Sequence, residues 1–470
     1  MRHGRAAILV VACLALAACG TATSTPSASV VGQTAGASGA TFVVVTPPPS
    51  LLPPATAANT PAAPPTLPPS PTETPSPTPV ETATVPPTAT PTSNGGGGTV
   101  GLVVHWKSAA NSGVGAASDF EEVASRDGVL VAVGRGGETD NPYIWTSSDG
   151  STWGVATWTA NPEENIWFSA VTASHSGFVV VGTDSQAPNG VAYLSTDGTN
   201  WERVDSDAFT GRYLDRVSAS GSNYVVFTEA AGGQEASVIT SADGGHSWQV
   251  ADTPSASHVA SGLLDVTQDG TSIWALAAEM TGTSRASLEL WRSNDGRTWE
   301  LVGDIRGTDD AERAWLAQGP GGFSVIASRY HHNTSIWSAF QSADGVSWQP
   351  AAQNPTDVTD LVATYAGFVA AGHYNLGQGC ALDETQDVGV TWTSVDGVIW
   401  RQMSEKGWKG REIQVVGLSG QTLAGLGVDW TQDWGQGGSL WTAGLPKPPQ
   451  DLAPSPSPTP APTPIAGCGD

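Results

Sequence analysis

Residues Ser147-Ser148-Asp149-Gly150-Ser151-Thr152-Trp153 belong to a repeat that indicates the fold of this 470-residue chain. Its pattern, Ser-x-Asp-Gly-x-x-Trp, returns at residues 195–201, 293–299, 342–348 and 394–400, and at 241–248 with one additional glycine. The aspartates of the six copies, which follow one another at intervals of 46 to 52 residues, are Asp149, Asp197, Asp243, Asp295, Asp344 and Asp396. Repeats of this length are typical of the four-stranded blades of β-propellers.

The residue types of the repeat indicate a tight turn between two strands. An aspartate followed by glycine favours a hairpin, because the carboxylate accepts hydrogen bonds from nearby backbone N–H groups and glycine adopts positive φ without strain. The tryptophan three residues after the glycine then enters the next strand as an apolar anchor. We therefore expect the six aspartates to be structural.

Short β-branched and apolar runs indicate the number of blades. A run expected for the second, buried strand of a blade occurs seven times, at residues 129–133, 178–181, 224–227, 273–277, 323–327, 368–371 and 423–426. The seventh run is followed by a third strand at 439–442 but by no copy of the repeat, so its blade lacks a fourth strand. Residues 100–106 precede the first blade and can supply it. The sequence thus predicts an all-β, seven-bladed β-propeller of four-stranded blades, closed by an N-terminal strand.

The six copies resemble the Asp-box, or bacterial neuraminidase repeat, of the sialidase-like β-propellers, and this resemblance extends over residues 99–446. In that family the Asp-box lies in the turn between the third and fourth strands, away from the active site. The family's sialidases hold the substrate carboxylate with three arginines, the first of them in a Phe/Tyr-Arg-Ile-Pro motif, and this motif is absent from the sequence. The resemblance therefore implies the fold and transfers no catalytic residue.

The composition excludes several classes of protein. The chain has 56 Gly and 34 Pro but only 13% charged residues, which disfavours a helical bundle or solenoid. Its 44 acidic side chains outnumber the 19 basic ones, so the formal net charge is -25. A phosphate backbone would be repelled, and no nucleic-acid partner is expected. The sequence contains no phosphate loop or zincin helix, and we expect no cofactor.

The N-terminal region predicts export and lipidation. Arg2 and Arg5 precede an apolar run too short to span a bilayer, and residues 1–18 are interpreted as a signal peptide. The segment Leu16-Ala17-Ala18-Cys19-Gly20 resembles the bacterial lipobox, which implies acylation of Cys19; an ordinary cleaved secretory signal is the alternative. Residues 19–98 are rich in Thr and Pro and favour an extended stalk. We expect a monomer that is lipid-anchored to the membrane at the cell surface.

Two cysteines follow the predicted lipidation site. Cys380 lies in a long loop, and Cys468 lies in the Pro-rich tail at residues 447–470. Export places both thiols where disulfides persist, so we expect them to pair. Two unpaired or intermolecular thiols are the alternative.

The expected topology predicts which face binds ligands. Turns between the first and second strands, and between the third and fourth, share one face, which we call the lower face. The remaining loops lie on the opposite, upper face and are longer, so binding residues are expected among them. Aromatic residues of these loops could stack on sugars or simply pack; they are Tyr330, Tyr374, Trp430 and Trp434. The candidate cations of the same face are Arg306, Arg313 and Arg329.

Other polar residues predicted on the upper face leave alternatives open. Its carboxylates could hold Ca2+, act as an acid and base, or form a solvated rim; they include Asp304, Asp309, Asp310, Glu312 and Asp429. A transition-metal site at His331, His332 and His373 is disfavoured, because adjacent side chains on an extended segment point in opposite directions.

These features favour a surface-displayed binding module whose ligand is a glycan, a wall polymer or a protein. One alternative is a glycoside hydrolase or lyase of sialidase type. Another is an assembly factor for an extracytoplasmic complex, a role that the resemblance to other Asp-box propellers implies.

Overall fold

The computed structural model describes residues 102–109, 113–115, 117–136, 141–159, 165–187, 189–230, 234–281, 284–331, 334–375, 387–403, 408–431 and 437–446. Within these ranges the chain forms seven antiparallel four-stranded sheets. The prediction of an all-β, seven-bladed propeller is therefore confirmed. The predicted signal peptide, stalk and tail lie outside the described residues, together with Cys19, His332, Cys380, Trp434 and Cys468.

Blades 1 to 6 each consist of four consecutive strands that pair in chain order. The strands of blades 1 to 3 are β2 (Ala117–Arg126), β3 (Val129–Gly136), β4 (Asn141–Ser147), β5 (Gly154–Val155), β6 (Ile166–Ser174), β7 (Gly177–Asp184), β8 (Asn189–Ser195), β9 (Glu202–Val204), β10 (Tyr213–Ser220), β11 (Asn223–Glu229), β12 (Ser237–Ser241) and β13 (Gln249–Val250). The strands of blades 4 to 6 are β14 (Leu263–Gln268), β15 (Ile273–Thr281), β16 (Ser284–Ser293), β17 (Glu300–Ile305), β18 (Arg313–Gly319), β19 (Gly322–His331), β20 (Thr334–Ser342), β21 (Gln349–Pro350), β22 (Val358–Thr364), β23 (Gly367–Asn375), β24 (Asp387–Ser394) and β25 (Arg401–Met403).

Blade 7 combines the two ends of the described chain. Its first three strands are β26 (Val415–Ser419), β27 (Thr422–Val428) and β28 (Gly438–Gly444), and its outer strand is β1 (Lys107–Ser108). The first strands of neighbouring blades contact one another in a closed circle, from β2 through β26 and back to β2. Closure of the ring by an N-terminal strand is therefore confirmed.

The predicted bounds of the closing strand need correction. The sequence predicts that residues 100–106 pair with blade 7, but none of the described residues 102–106 does so, and the strand that pairs is β1 at Lys107–Ser108. Leu102 and Trp106 are instead buried between blades 6 and 7. Thr393 Oγ1 donates a hydrogen bond to Leu102 O at 2.8 Å, and Trp106 Nε1 donates one to Thr391 Oγ1 at 3.2 Å. The apolar residues of this segment are therefore explained by burial between two blades, and they do not indicate a hydrogen-bonded strand.

Two short helices occur in the connections on the upper face. They are the 3-10 helix η1 (Asp207–Phe209) and the α-helix α1 (Pro254–Gly262). The N-cap residue of α1 is Thr253, whose hydroxyl accepts a hydrogen bond from Ala256 N at 3.2 Å, and proline occupies its first turn. Val259 packs between blades 3 and 4. In the part of the chain that the structure describes, no helix is long and apolar enough to cross a membrane.

The second strand of each blade is buried on both faces over most of its length, which explains its near-continuous apolar run. In β19, Val325 and Ala327 pack with Leu290 of blade 4, whereas Ile326 packs with Phe368 of blade 6. Alternate residues of one strand therefore face the two neighbouring blades. The same alternation tells which neighbouring blade the side chains near the end of a strand face.

The upper face is raised over blades 4 to 6. The second strands of these blades, β15, β19 and β23, contain nine or ten residues, whereas those of the other blades contain seven or eight. The hairpins that they form with the third strands therefore extend further from the body of the ring.

Candidate functional site

Bulges in the first strands direct polar side chains toward neighbouring blades. The pairing register shifts in the first strands of blades 1, 2, 3, 4 and 6, and the extra residues include Ser169, Asp215 and Thr359. Opposite such a bulge the second strand can carry a glycine. At Gly134, a Cβ atom would lie 2.1 Å from Asp119 O. Glycine thus lets the bulged strand pass close to its neighbour.

The residues beside the bulges bind the backbone of the next blade. Three carboxylates accept hydrogen bonds from backbone N–H groups: Glu122 from Val171 at 3.2 Å, Asp265 from Leu316 at 2.7 Å, and Asp360 from Val416 at 2.7 Å. Hydroxyls make the complementary bonds, because Ser169 donates to Leu214 O at 2.5 Å and Thr359 donates to Ile413 O at 2.9 Å. These bonds fasten successive blades together around the centre of the ring.

Arg216 lies among carboxylates at the centre of the ring. Its Nη1 atom lies 2.6 Å from Asp215 Oδ1. Burial by itself would lower the pKa of Arg216, but Asp215, Asp265, Glu122 and Glu121 together raise it above its usual value. The guanidinium therefore stays charged and acts as a counter-ion inside the protein.

Glu229 at the upper end of β11 has an altered acidity. The residue is exposed, yet the protein atoms around its carboxyl group raise its pKa by desolvation, and the negative charge of Asp215 raises it further. Arg216 opposes both effects. Glu229 therefore takes up a proton more readily than an ordinary glutamate, which is a property of general acids.

A chain of polar contacts crosses the closure of the ring. Arg135 Nη2 lies 3.1 Å from Asp119 Oδ2 in blade 1. Gln414 Nε2 donates to Asp119 Oδ1 and to Glu412 Oε1, in both cases at 2.8 Å. Glu412 is only 2% exposed, and its Oε2 lies 3.2 Å from His373 Nδ1 in blade 6. The contacts therefore link blades 1, 7 and 6 where the chain ends meet.

The arginines around the centre of the upper face already have partners within the protein. The guanidinium carbon of Arg135 lies 4.5 Å from the ring centroid of Trp167, in addition to its contact with Asp119. Arg411 Nε lies 2.9 Å from Asp429 Oδ2. Together with Arg216, they neutralise carboxylates of the chain itself. They are therefore poorly suited to form the arginine clamp of a sialidase.

The structure places three of the candidate ligand-binding residues on the facing surfaces of blades 5 and 6 and the others elsewhere. Tyr330 and Arg313 lie on the surface of blade 5 that faces blade 6, and Tyr374 lies on blade 6. Arg329 lies on the other surface of blade 5, which faces blade 4. Arg306 lies in the connection between blades 4 and 5.

Trp430 belongs to a different part of the upper face. It follows β27 in blade 7, is half-buried, and donates its backbone N–H to Gly410 O at 2.7 Å. The predicted aromatic platform is therefore not a single surface among the described residues, because Trp430 lies in blade 7 and the two tyrosines in blades 5 and 6.

The alternative metal sites receive no support from the geometry of the described residues. None of their His, Cys, Asp and Glu side chains form a group of three or more that could hold a metal ion. His373 is directed to Glu412, whereas His331 lies at the exposed tip of blade 5. Asp309 and Asp310 accept hydrogen bonds from β16.

The six repeat turns have one geometry on the lower face. In each turn the serine hydroxyl accepts a hydrogen bond from a glycine N–H at 2.8 to 2.9 Å, and the aspartate Oδ1 accepts two backbone N–H bonds at 2.7 to 3.1 Å. The tryptophan Nε1 donates to the glycine carbonyl at 2.7 to 3.2 Å. The glycine packs against the preceding blade; at Gly296, a Cβ atom would lie 2.3 Å from Val225 Cγ2. The aspartates thus organise turns that also join blades.

Replacement of Asp243 by alanine is expected to lower the free energy of unfolding by about 1 to 3 kcal/mol, because several donors in the turn lose their acceptor. Hydrogen bonds from Ser247 lower the pKa of Asp243 from 3.8 to about 2. The carboxylate therefore stabilises the fold at neutral pH, and this contribution is lost as the pH falls from about 4 through about 2.

The measurement is urea unfolding of the wild-type protein and the variant at a series of pH values. Asp252→Ala is the control, because Asp252 is an exposed aspartate outside the repeat turns. An equal loss in both variants, or a difference that grows toward low pH, would contradict the assigned role.

Sequence reasoning missed the polar residues at the centre of the ring. A usable signal exists for three of them, because Arg216, Asp265 and Asp360 each lie near the start of a first strand and are followed by an apolar residue, whereas Glu122 lies in the middle of a strand that contains other charged residues. The signal does not tell which backbone group the side chain meets, since that group belongs to the next blade.

Comparisons with known proteins show similarity in fold only. No protein-family model and no curated protein matches the chain. Solved structures that are similar include "YCF48 bound to D1 peptide", with 15% identity, 72% of this chain and 96% of that chain covered, and a TM-score of 0.47. Two GH74 structures are also similar. The GH74 xyloglucanase of Xanthomonas campestris has 16% identity, 70% and 54% coverage and a TM-score of 0.47. The GH74 enzyme of Niastella koreensis has 15% identity, 70% and 54% coverage and a TM-score of 0.45.

The chain thus spans about half the length of the two GH74 enzymes. Likeness at these identities and TM-scores carries no conclusion about activity, ligand or partner. Function has to be argued from the residues of the chain itself.

Proposed function

We propose that this protein is a lipid-anchored surface protein whose propeller is a binding module, with a glycan, wall-polymer or protein ligand on the upper face. The observation that best supports this proposal is a difference among the arginines of the upper face. Arg135, Arg216 and Arg411 are paired with carboxylates, whereas Arg313 is exposed, and within the described residues no carboxylate lies within ion-pair distance of it. Near it, Tyr330 is 57% exposed. Groups of this kind are available to a ligand.

The lower face supports the same proposal. Its repeat turns have the hydrogen bonds expected of Asp-boxes, and this supports a place for the chain among the sialidase-like Asp-box propellers. Because these turns serve the fold, the opposite face remains for recognition. The central carboxylates bind backbone N–H groups of neighbouring blades, which argues against their use as a catalytic pair.

The test is saturable binding to the full-length protein, using a glycan array and purified wall polymers. Tryptophan is introduced at exposed positions of the upper face, in Gln186→Trp and Thr334→Trp, and of the lower face, in Ser222→Trp and Ile399→Trp. At least one upper-face variant is expected to weaken binding at least tenfold, and the lower-face variants are expected to bind as the wild type does. A ligand that only the lower-face variants lose, or the lack of any saturable ligand, would refute the proposal.

Anchoring through Cys19 is tested separately. Cys19→Ser is expected to leave the protein unacylated, so that it is secreted into the medium or retained as an uncleaved precursor. The measurement is the mass of the mature protein and its partition into detergent. An unchanged mass and partition in the variant would exclude the lipid anchor while leaving the binding proposal intact.

A glycoside hydrolase is a second candidate, favoured by one observation. The raised pKa of Glu229 beside Asp215 resembles the acidity that such enzymes require of their proton donor. If the chain cleaves a glycan that it binds, Glu229→Gln is expected to abolish turnover and keep binding. Turnover that survives this change would remove the observation that favours an enzyme.

A further inference from the structure

The sixth repeat turn, residues 394–400, differs from the other five in its exposed side chains. In those five turns the residue before the tryptophan is polar: Thr152, Asn200, Ser247, Thr298 and Ser347. In the sixth turn it is Ile399, and Val395 occupies a second position that is small or polar elsewhere. Val395 is 49% exposed and Ile399 is 53% exposed. The hydrogen bonds of the turn do not require these aliphatic side chains, because the other five turns make the same bonds without them.

The described chain ends beside this turn. Pro446 O accepts a hydrogen bond from Tyr365 Oη at 2.5 Å, and Leu445 is buried in the apolar cluster against which Tyr365 packs. Tyr365 belongs to the turn between β22 and β23. At Gly367, where β23 begins, a Cβ atom would lie 2.7 Å from Val395 Cα. The turn that holds Pro446 therefore also packs against the sixth repeat turn, and the tail starts next to the exposed aliphatic side chains.

The tail, residues 447–470, has side chains that suit this surface. Leu452 follows Pro446 by six residues, and prolines occupy positions 448, 449 and 454. Six residues of polyproline II reach about 19 Å, and a proline-rich segment loses little conformational entropy when it binds in this form. Because the tail is tethered at Pro446, its effective concentration at the turn is on the order of millimolar. A weak apolar contact is therefore enough to hold it.

The N-terminal flank reaches the same blade but is less suited to cover the turn. Thr393 Oγ1 donates a hydrogen bond to Leu102 O at 2.8 Å, so the residues before Leu102 also start near the sixth repeat turn. Residues 95–98 of the stalk, however, are four glycines. Glycines have no side chains to bury and lose more conformational freedom than other residues when they are ordered. Of the two flanks, the tail is the better occupant.

We propose that the tail folds back onto the lower face, with Leu452 and its neighbouring prolines packed on Val395 and Ile399. The contact removes aliphatic surface of both partners from water. It goes beyond the proposed function and does not depend on it, because the ligand of that function lies on the upper face. Sixteen residues separate Leu452 from Cys468, so this contact is compatible with the predicted pairing of Cys468 and Cys380.

The first experiment measures how fast proteinase K cleaves the folded full-length protein after Leu452. The double variant Val395→Ser/Ile399→Thr receives the residues that the first repeat turn has at these positions. We expect cleavage of this variant to be at least fivefold faster than that of the wild type, because the rate follows the fraction of undocked tail. Val155→Ser is the control and is expected to leave the rate unchanged, since Val155 is 55% exposed but lies on the outer strand of blade 1. Equal rates for the double variant and the wild type would overturn the proposal.

The second experiment identifies what covers the turn. The photo-cross-linker p-benzoylphenylalanine is placed in the full-length protein at position 399 or, as a control, at the equivalent position 152 of the first repeat turn. We expect position 399 to cross-link to residues 447–454 of the same chain, position 152 to give no such product, and Leu452→Ser to lower the yield from position 399 at least threefold. Ser455→Ala is the tail control and is expected to keep the yield. Products that join position 399 to the stalk, to a second chain or to lipid, or the lack of a product with the tail, would overturn the proposal.

Discussion

Replacement of Gly427 by alanine is expected to destabilise the propeller by about 3 kcal/mol or more, or to prevent folding. A Cβ atom at Gly427 would lie 1.9 Å from Glu412 O and 2.7 Å from its carbonyl carbon. These are backbone atoms of the segment that enters blade 7, so they cannot turn away as a side chain would. Overpacking of this kind forces a backbone shift, and its cost lies at the upper end of the range for such substitutions.

The consequence reaches beyond the local clash. Glu412 contacts His373 and Gln414, so a displacement of its backbone disturbs the polar contacts that cross the closure of the ring. The measurement is equilibrium unfolding in urea, followed by circular dichroism. Gly154→Ala is the matched control, because no atom lies within 4 Å of a Cβ built at Gly154 in the outer strand of blade 1. Equal stability of the two variants would show that β27 does not pass the entering segment as closely as described.

Replacement of Trp106 by alanine is expected to cost about 3 to 5 kcal/mol, the range for removal of a large buried aromatic side chain. Trp106 is 5% exposed and packs with Trp441 and Ile413 of blade 7 and with Ala371 of blade 6. The change also removes the hydrogen bond to Thr391. Since Trp106 directly precedes β1, its loss loosens the strand that closes the ring.

The same unfolding measurement checks this expectation. Val103→Ala is the control from the same segment, because Val103 is 44% exposed, and its replacement is expected to change the stability by less than about 0.5 kcal/mol. A Trp106 variant as stable as the Val103 variant would contradict closure of the propeller through the N-terminal segment.

The predicted binding face shows the difference between local and tertiary information. Tyr330, Tyr374 and Arg313 could be placed on upper-face loops from the order of the strands. Which neighbouring blade these side chains face depends on strand register, because a shift of one residue moves a side chain to the other side of its blade. For the same reason, Arg329 and Arg306 were grouped with Arg313 in the sequence, although the fold separates them.

The repeat turns, the number of blades and the presence of a closing strand could all be predicted from the amino-acid sequence. Each of these features depends on residues that lie close together in the chain. An aspartate and a glycine form a turn with their own neighbours, and the pattern of apolar residues indicates a buried strand. The predicted bounds of the closing strand were wrong, because the alternating residues from Leu102 to Trp106 are buried without being paired in a ladder.

The roles of the charged residues, in contrast, depend on their surroundings in the folded protein. Glu122, Asp265 and Asp360 could have been catalytic acids, metal ligands or solvated side chains, and their types do not distinguish these roles. A backbone N–H of the next blade lies within 3.2 Å of each carboxylate, so these three side chains stabilise the contacts between successive blades. Likewise Arg216 interacts electrostatically with carboxylates of its own blade and of blades 1 and 4, whereas Arg313 is exposed. The role of a charge is set by the groups that surround it in space, and those groups come from parts of the chain about 50 residues away.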